Sequence, residues 1–211
     1  MSPSSVDSHV RAVRTHRSET ALFEADAFLA VELVDTDTPA LQRFFERNPE
    51  YFLAVSGQPP DADEAREEVD SVPPEGWSYT RKWLIGFEDK TGTLTGMANV
   101  ISDLLAVGIW HIGLFIVATN LHGDGSAQAM LKALLTWAQE RGAQWVRLGV
   151  VKGNRRGERF WERSGFVEVR ERAGIAMGTR VNTVRVMAKS LAGGALAEYL
   201  RLVPRDRRDA P

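Results

Sequence analysis

The amino-acid sequence predicts a single domain of the α/β (α+β) class, with a mixed β-sheet flanked by helices. Two observations carry this prediction. Short apolar runs typical of strands alternate with stretches in which apolar residues recur at helical spacing. Residues 109–151 form a strand–helix–strand pattern with the length of a right-handed crossover, so the two strands are expected to be parallel. The 211 residues show no internal linker, which fits one domain.

The first half of the chain predicts three strands and two helices ahead of the crossover unit. Residues 27–34 form a strand-like apolar run, and Pro39 suits the first turn of the helix that follows. The acidic residues 61–69 favour a second, solvated helix. Residues 79–87 and 93–104 then read as two strands joined by a hairpin turn that contains Asp, Lys, Thr and Gly.

The second half begins with a strand over 109–118, which is nearly all apolar and therefore buried on both faces. The helix over 128–140 follows, with one continuous apolar stripe and Gly142 where a C-cap glycine would end it. The remaining predicted elements are a buried strand over 145–151, a helix over 155–163, and strands over 166–172 and 183–189.

Composition excludes several classes of protein. Without cysteine, the chain has no disulfide scaffold, no thiolate metal site and no cysteine nucleophile. A net charge of −2 with no basic run argues against a nucleic-acid partner. No apolar stretch approaches the roughly 18 residues of a membrane span, and the histidines and carboxylates show no metal-ligand spacing. We therefore expect no nucleic acid, no membrane and no metal.

The two ends differ in character from the body of the chain. Residues 1–20 are polar and lack the apolar core of a signal peptide, so we expect a loose N-terminal segment and a cytoplasmic protein. Residues 21–191 hold the predicted domain. Residues 192–211 are expected to form a C-terminal helix and tail, whose apolar residues are candidates for contact with a second copy in a homodimer.

The segment over 115–127 carries the main candidate for a binding site. A buried strand ending in Phe115, Ile116 and Val117 runs into a loop that opens directly into a helix. Six residues form the loop: His122, Gly123, Asp124, Gly125, Ser126 and Ala127. Its backbone N–H groups and the helix N-terminus suit a phosphate, although a simple tight turn shows the same pattern. The absence of Gly-Lys-Ser/Thr excludes a nucleotide P-loop, and the dinucleotide fingerprint is incomplete.

A second pattern begins at Asn154, directly after the strand over 145–151. Four residues stand at offsets of three, seven, eleven and twelve from Asn154: Gly157, Trp161, Gly165 and Phe166. Together with the loop, this spacing resembles the GNAT N-acetyltransferase superfamily. In that family a Gln/Arg-x-x-Gly-x-Gly/Ala loop binds the pyrophosphate of acetyl-CoA, and Gly125 and Ala127 match its two small positions. The resemblance is strong over 109–170 and extends over 27–190.

The resemblance implies a fold, an activity and a co-substrate. The fold is a GNAT-like mixed, mostly antiparallel sheet of about seven strands, with a parallel pair splayed at the centre. The activity is N-acetyl transfer from acetyl-CoA to a primary amine of a small molecule or peptide by direct attack. The residues implied to bind acetyl-CoA are Phe115, Ile116, Val117, His122, Gly123, Asp124, Gly125, Ser126, Ala127, Asn154 and Trp161. Splayed strands expose backbone groups that the pantetheine arm can pair with.

Two residues depart from the family pattern. His122 stands where the family has Gln or Arg, and histidine reaches less far and is mostly neutral at pH 7. Trp161 stands where the family often has a tyrosine that protonates the leaving thiolate, and an indole cannot do this. Another group, or water, then serves as the acid, or the step proceeds without one.

Two residues are candidates for the general base. His111 lies early on the strand that leads to the loop, and alternation along the strand places it on the same face as Gly113 and Phe115. Asp103, near the end of the preceding strand, is the second. A structural, hydrogen-bonded role is the alternative for His111.

Two other functions stay open beside the acetyltransferase. One is a non-catalytic acyl-CoA-binding protein of the same fold. The other is a phosphate- or nucleotide-binding module that uses the same loop. The acidic segment over 58–78 is expected to shape the acceptor end of the pocket. Its negative charge either attracts a cationic amine or simply belongs to a solvated acidic helix.

Overall fold

A computed structural model describes residues 21–210, which form one mixed sheet flanked by helices. The strands are β1 (Phe23–Ala25), β2 (Phe28–Glu32), β3 (Arg81–Glu88), β4 (Leu94–Ser102), β5 (Ile109–Val117), β6 (Trp145–Val151), β7 (Val167–Met177) and β8 (Arg180–Ser190). The helices are α1 (Thr38–Arg47), α2 (Glu50–Val55), α3 (Glu64–Asp70), α4 (Ser126–Glu140), α5 (Arg155–Arg163) and α6 (Leu196–Leu202). Short 3₁₀ turns lie at Asp35–Asp37, Thr119–Leu121 and Pro204–Asp206.

The strand order across the sheet is β1-β2-β3-β4-β5-β6-β8-β7. Strands β5 and β6 run parallel, from Ile109 opposite Trp145 to Ile112 opposite Leu148, and the other neighbouring pairs are antiparallel. Helix α4 makes the crossover between the parallel strands, as its apolar stripe and the length of the unit require. The predicted class, the mixed sheet and the central parallel pair are confirmed.

Helices cover both faces of the sheet. On one face, Trp137 of α4 packs edge-on against Trp83 and Trp110, with ring centroids 5.1 and 5.6 Å apart. On the other face, helices α1 to α3 bury Phe44 and Phe45 completely. Burying an aromatic side chain of this size contributes about 1.5–3 kcal/mol. These two cores therefore fix the central strands, which position the site described below.

The structure differs from the predicted elements in three places. The sheet has one strand more than the seven predicted. This extra strand, β1, has only three residues, and the chain turns back after it at Asp26, whose φ is 56°. Helix α2 has six residues, too few for a periodic pattern to reveal it. Strand β7 continues to Met177 and β8 begins at Arg180, beyond the predicted limits of 172 and 183. Gly174, with φ 75°, and a register shift between Arg172 and Ile175 interrupt the strand pattern there. The loose segment predicted for residues 1–20 lies outside the described residues.

The hairpin of β7 and β8 reaches across the sheet and contacts helix α2. Arg180 and Asn182 donate side-chain hydrogen bonds to the carbonyls of Ala54 and Val55, at 2.8 and 2.9 Å. These carbonyls end a helix and have no partner within it. We call α2 and the tip of this hairpin the bridge, because together they span the gap above β5 and β6.

The C-terminal helix α6 packs against the start of β6. Tyr199 is completely buried there, with its ring 5.4 Å from that of Trp145. The 3₁₀ turn after α6 then carries Asp206 beneath the sheet, where it is also fully buried. Within residues 21–210, no helix combines the length and the apolar character that crossing a membrane requires.

Candidate active site

Strands β5 and β6 separate beyond Ile112 and Leu148, and a cleft opens between them. The cleft has a volume of about 640 Å³. Its floor is formed by the two strands, its roof by the bridge, and one side by helix α5. The predicted site residues that line it are His111, Phe115, Ile116, Val117, His122, Gly123, Ala127, Asn154 and Trp161.

A β-bulge at Gly113 breaks the alternation of β5. Leu114 pairs with Asn99 of β4, whereas Ile112 pairs with Val100, so Gly113 is an extra residue without a partner on β4. As a result, Ile112 packs in the α4 core while Leu114 packs in the opposite core. The prediction that His111 shares a face with Gly113 and Phe115 was therefore wrong, because that inference assumed an unbroken strand.

The loop between β5 and α4 presents a set of free backbone donors. Gly123 and Gly125 have φ angles of 92° and 96°, which glycine adopts without strain. The N–H of Ser126 is taken by the carboxylate of Asp124 at 2.8 Å. The N–H groups of Gly123, Gly125 and Ala127 find no acceptor within the described part of the chain, whereas the N–H of Asp124 interacts with its own carboxylate. Backbone N–H groups gathered in this way at a helix N-terminus form an anion-binding nest.

His122 holds an arginine beside this nest. Its Nε2 lies 2.9 Å from the carbonyl of Val117, which can only accept, so Nε2 carries the proton. Its Nδ1 therefore accepts the hydrogen bond that Arg156 donates. Arg156 of helix α5 therefore brings positive charge to the loop.

Helix α2 ties the bridge to the end of β5. The carboxylate of Glu50 accepts a hydrogen bond from the Thr119 hydroxyl at 2.6 Å, and this bond lowers the pKa of Glu50. The side-chain oxygen of Asn48 accepts from the Thr119 N–H at 2.8 Å. Burial raises the pKa of the Tyr51 phenol, which lines the cleft beside these residues. The sequence analysis did not identify Glu50 and Tyr51 as cleft residues, because it did not predict helix α2.

Asn154 and an aromatic cluster form the α5 side of the cleft. Asn154 caps helix α5, with its side-chain oxygen accepting from the Gly157 N–H at 3.1 Å, and its amide nitrogen donates to no described residue. Phe115 stacks on Phe160 with centroids 5.8 Å apart, and Trp161 packs against both rings. Trp161 thus belongs to the wall of the cleft, as its aromatic type at this position indicated.

The two candidate bases lie in different surroundings. Asp103 sits in a turn with φ 53°, where its carboxylate accepts from the Thr80 hydroxyl at 2.8 Å and from the Gly108 N–H at 2.7 Å. This arrangement stabilises the turn, and Asp103 does not line the cleft. His111 does line it, with Nδ1 3.1 Å from the Arg147 carbonyl on β6.

The inner end of the cleft, away from the loop, is formed by His111, Arg147, Trp77 and Arg172. Arg147 is buried and binds Asp206 through Nε at 3.0 Å and Nη2 at 3.2 Å. Arg172 of β7 also reaches Asp206, at 3.4 Å. Apart from His111, sequence reasoning missed these residues, since they come from distant parts of the chain.

The surroundings of His111 make the stability of the protein depend on pH. Burial, followed by the charge of Arg147, lowers the pKa of His111 to about 3. The unfolded chain binds a proton at this histidine below its ordinary pKa of about 6.5, and the folded protein does not. Stability is therefore lost as the pH falls from about 6.5 towards 3.

We expect His111→Gln to remove this part of the acid destabilisation. Between pH 8 and pH 5 the unmodified protein should lose about 2 kcal/mol of unfolding free energy that the variant keeps. Urea denaturation of both proteins at the two pH values measures the difference. Equal losses in both would mean that His111 is protonated as easily in the folded protein as in the unfolded chain.

Among residues 21–210, no group of three or more His, Cys, Asp or Glu side chains is placed to hold a metal ion. The polar features of the cleft include the nest, the arginines and His111, together with Asn154 and the group of Asn48, Glu50 and Tyr51. They can hold an anion at one end and a polar group at the other.

Comparison with known proteins agrees with this geometry. The sequence profile described as "Acetyltransferase (GNAT) family" matches residues 41–166. An acetyltransferase from Thermus thermophilus superposes with a TM-score of 0.62 at 17% identity, covering 78% of this chain and 97% of that one. Spermidine N-acetyltransferase from Vibrio cholerae, solved with CoA and spermine, gives 0.61 at 17% identity, covering 78% and 96%.

A third structure is the Salmonella typhimurium acetyltransferase that modifies the N-terminal serine of ribosomal protein L7/L12. It gives a TM-score of 0.63 at 14% identity, covering 78% of this chain and 95% of that one. No curated protein sequence matches the chain. The matched profile spans more than half of the sequence and includes the loop, Asn154 and the Gly165-Phe166 pair. The chain therefore belongs to the acetyltransferase (GNAT) family and is an acetyltransferase enzyme.

Proposed function

We propose that the protein transfers an acetyl group from acetyl-CoA to a primary amine of a small molecule or peptide by direct attack. One observation carries the proposal: the cleft between the splayed strands runs from the nest at Gly123–Ala127 to His111. A long donor with an anionic middle and an amide-bearing arm fits this shape. The nest and Arg156 hold the pyrophosphate, and the free backbone groups of β5 and β6 pair with the arm.

The bulge at Gly113 places unpaired backbone at the point where the strands separate. An N–H there polarises the thioester carbonyl and stabilises the oxyanion that forms as the amine attacks. The nitrogen lone pair forms the new C–N bond, the C–S bond breaks, and the thiolate leaves. The amine loses its proton to His111 or to water. Most of the rate enhancement then comes from holding amine and thioester together.

The pKa of His111 limits what this residue can do as a base. A histidine with a pKa near 3 is neutral at pH 7 but a weak proton acceptor. Its main effect is then to position the amine by a hydrogen bond, with solvent taking the proton. Asp103 is held in its turn, away from the cleft.

Calorimetric titration of the purified protein with acetyl-CoA, CoA and ATP tests the donor site. Micromolar binding of acetyl-CoA with no ATP binding supports the proposal, and transfer assays with a panel of amines then test the reaction. Binding without transfer to any amine would favour a non-catalytic acyl-CoA-binding role. Binding of ATP but not CoA would overturn the donor assignment.

We expect Trp161→Phe to keep most of the transfer activity. The indole packs in the cleft wall and has no proton to give at neutral pH, so phenylalanine can replace it in the aromatic cluster. Steady-state kinetics and the acetyl-CoA affinity of the variant measure the effect. A loss of kcat beyond about 100-fold with unchanged affinity would show that the indole acts in the reaction itself.

The acceptor class, a primary amine of a small molecule or peptide, and the homodimer predicted from the C-terminal residues stay predictions. The fold similarity to enzymes acting on spermidine and on a protein N-terminus leaves both acceptor classes open.

A further inference from the structure

The inner end of the cleft holds more positive charge than its neighbours neutralise. Arg147 of β6 and Arg172 of β7 line it, and two further arginines, Arg170 of β7 and Arg205 of the C-terminal turn, lie behind them. Within residues 21–210, the buried carboxylate that faces them is Asp206. Asp206 already accepts two hydrogen bonds from Arg147 and one from Tyr199. One carboxylate thus faces four guanidinium groups.

The hydrogen bonds of the cluster are also incomplete. The Nε atoms of Arg170, Arg172 and Arg205 are buried and have no acceptor in the described part of the chain. Burial, together with the charges of Arg170 and Arg147, lowers the pKa of Arg172 despite its contact with Asp206. Unpaired donors and crowded like charges of this kind are costly in a folded protein. An anion bound here would offset both costs.

Arg172 is the member of the cluster best placed to meet such an anion. It lines the cleft, and 24% of its side chain is exposed. Its Nη2 contacts the Arg205 carbonyl and Asp206, whereas its Nη1 bonds to no described residue. Arg170, by contrast, is committed to the carbonyls of Arg205 and Ala210.

A short chain of contacts links Arg172 to the expected point of acetyl transfer. Arg147 and Arg172 converge on the same oxygen of Asp206, at 3.2 and 3.4 Å. Arg147 in turn lies 3.3 Å from His111. One guanidinium and one carboxylate therefore separate His111 from Arg172, and both residues line the cleft.

We propose that the acceptor is an amine with a carboxylate a few bonds from its nitrogen, as in an α-amino acid, and that Arg172 binds this carboxylate. This rests on the proposed acetyl transfer. A guanidinium fork pairs with a carboxylate through two parallel hydrogen bonds, which fixes the orientation of the neighbouring amine. The Trp77 ring stacks against the Arg205 guanidinium, 3.8 Å away, and supplies an apolar wall for the rest of the acceptor. The same arginines repel a polyamine.

The first test compares matched acceptors with the unmodified protein. Each standard amino acid is assayed against its amide and its decarboxylated amine, with spermidine as a cationic comparison and acetyl-CoA binding measured on the same samples. We expect kcat/KM for a preferred amino acid to exceed that of its amide about 10- to 100-fold. Acetylation of amides, decarboxylated amines or spermidine alone, or of nothing in the panel, would overturn this proposal. If the unmodified protein does not bind acetyl-CoA, that result would instead overturn the proposed function.

The second test changes the arginine. Arg172→Gln should raise KM for the preferred amino acid about 10- to 100-fold with a smaller change in kcat, and should leave acetyl-CoA affinity and the KM for the matching amide unchanged. Arg172→Lys keeps the charge and should restore part of the affinity. Arg208→Gln, at an exposed arginine of the C-terminal segment, serves as the matched control. An equal rise in KM for amino acid and amide would show that Arg172 only supports the fold.

Discussion

Gly125→Glu is expected to weaken acetyl-CoA binding by about 100-fold or more. Gly125 stands in the nest, so in the proposed donor site the new carboxylate would lie beside the pyrophosphate. Juxtaposing like charges in this way costs several kcal/mol of binding free energy. The substitution also forces a side chain onto a backbone with φ 96°. Calorimetric titration with acetyl-CoA measures the affinity directly.

A matched variant separates charge in the nest from backbone strain. Gly92 lies in the turn between β3 and β4 with φ 80°, and a side chain added there, as at Gly125, meets no atom within 4 Å. Gly92→Glu therefore carries the same strain and the same charge outside the nest, at a residue that does not line the cleft, and should bind acetyl-CoA normally. Unchanged affinity in Gly125→Glu would remove the loop from the donor site.

Asp206→Asn is expected to lower the free energy of unfolding by about 3–5 kcal/mol. The amide cannot neutralise Arg147, whose buried guanidinium would lose a charged partner held at 3.0 and 3.2 Å. It also leaves Arg172 and Tyr199 without their carboxylate. Chemical denaturation at pH 7 measures the loss, with Asp209→Asn, at an exposed position, as the control. A loss below about 1 kcal/mol would mean that the cluster is hydrated or otherwise compensated.

The ion pair of Asp206 and Arg147 makes the free energy of unfolding depend on pH in a second way, besides the effect of His111. Burial alone would raise the pKa of Asp206, but the charge of Arg147 and the hydrogen bonds from Arg147 and Tyr199 outweigh it and hold this pKa below its ordinary value. The stabilisation is complete above the unfolded pKa of about 3.9 and is lost as the pH falls through the lower folded value. Asp206→Asn should therefore unfold with less acid sensitivity below about pH 4.

The loop end of the cleft, where we propose that the donor binds, could be predicted from sequence because it is local. The strand, the loop and the helix that form the nest are consecutive over 115–140, and Asn154 follows within one further strand. Glycines and an apolar stripe mark these elements directly. Alternation failed at β5 because one extra residue at Gly113 reverses every later side chain, and no sequence pattern marks that bulge.

The inner end of the cleft and the bridge could not be predicted because their contacts join distant segments. Arg147 meets Asp206 across 59 positions, and Arg180 meets the end of α2 across 126. Single charged residues on an exposed strand or in a C-terminal tail usually indicate a solvated surface. Only the folded sheet brings them to one end of the cleft.

The bridge over β5 and β6 turns the cleft into a passage with a roof. In the proposed reaction the thioester lies beneath helix α2 and the hairpin, which stand between it and a flat surface of another folded protein. We therefore expect the acceptor amine to arrive at the end of something slender, such as a free metabolite or the first residues of an extended chain.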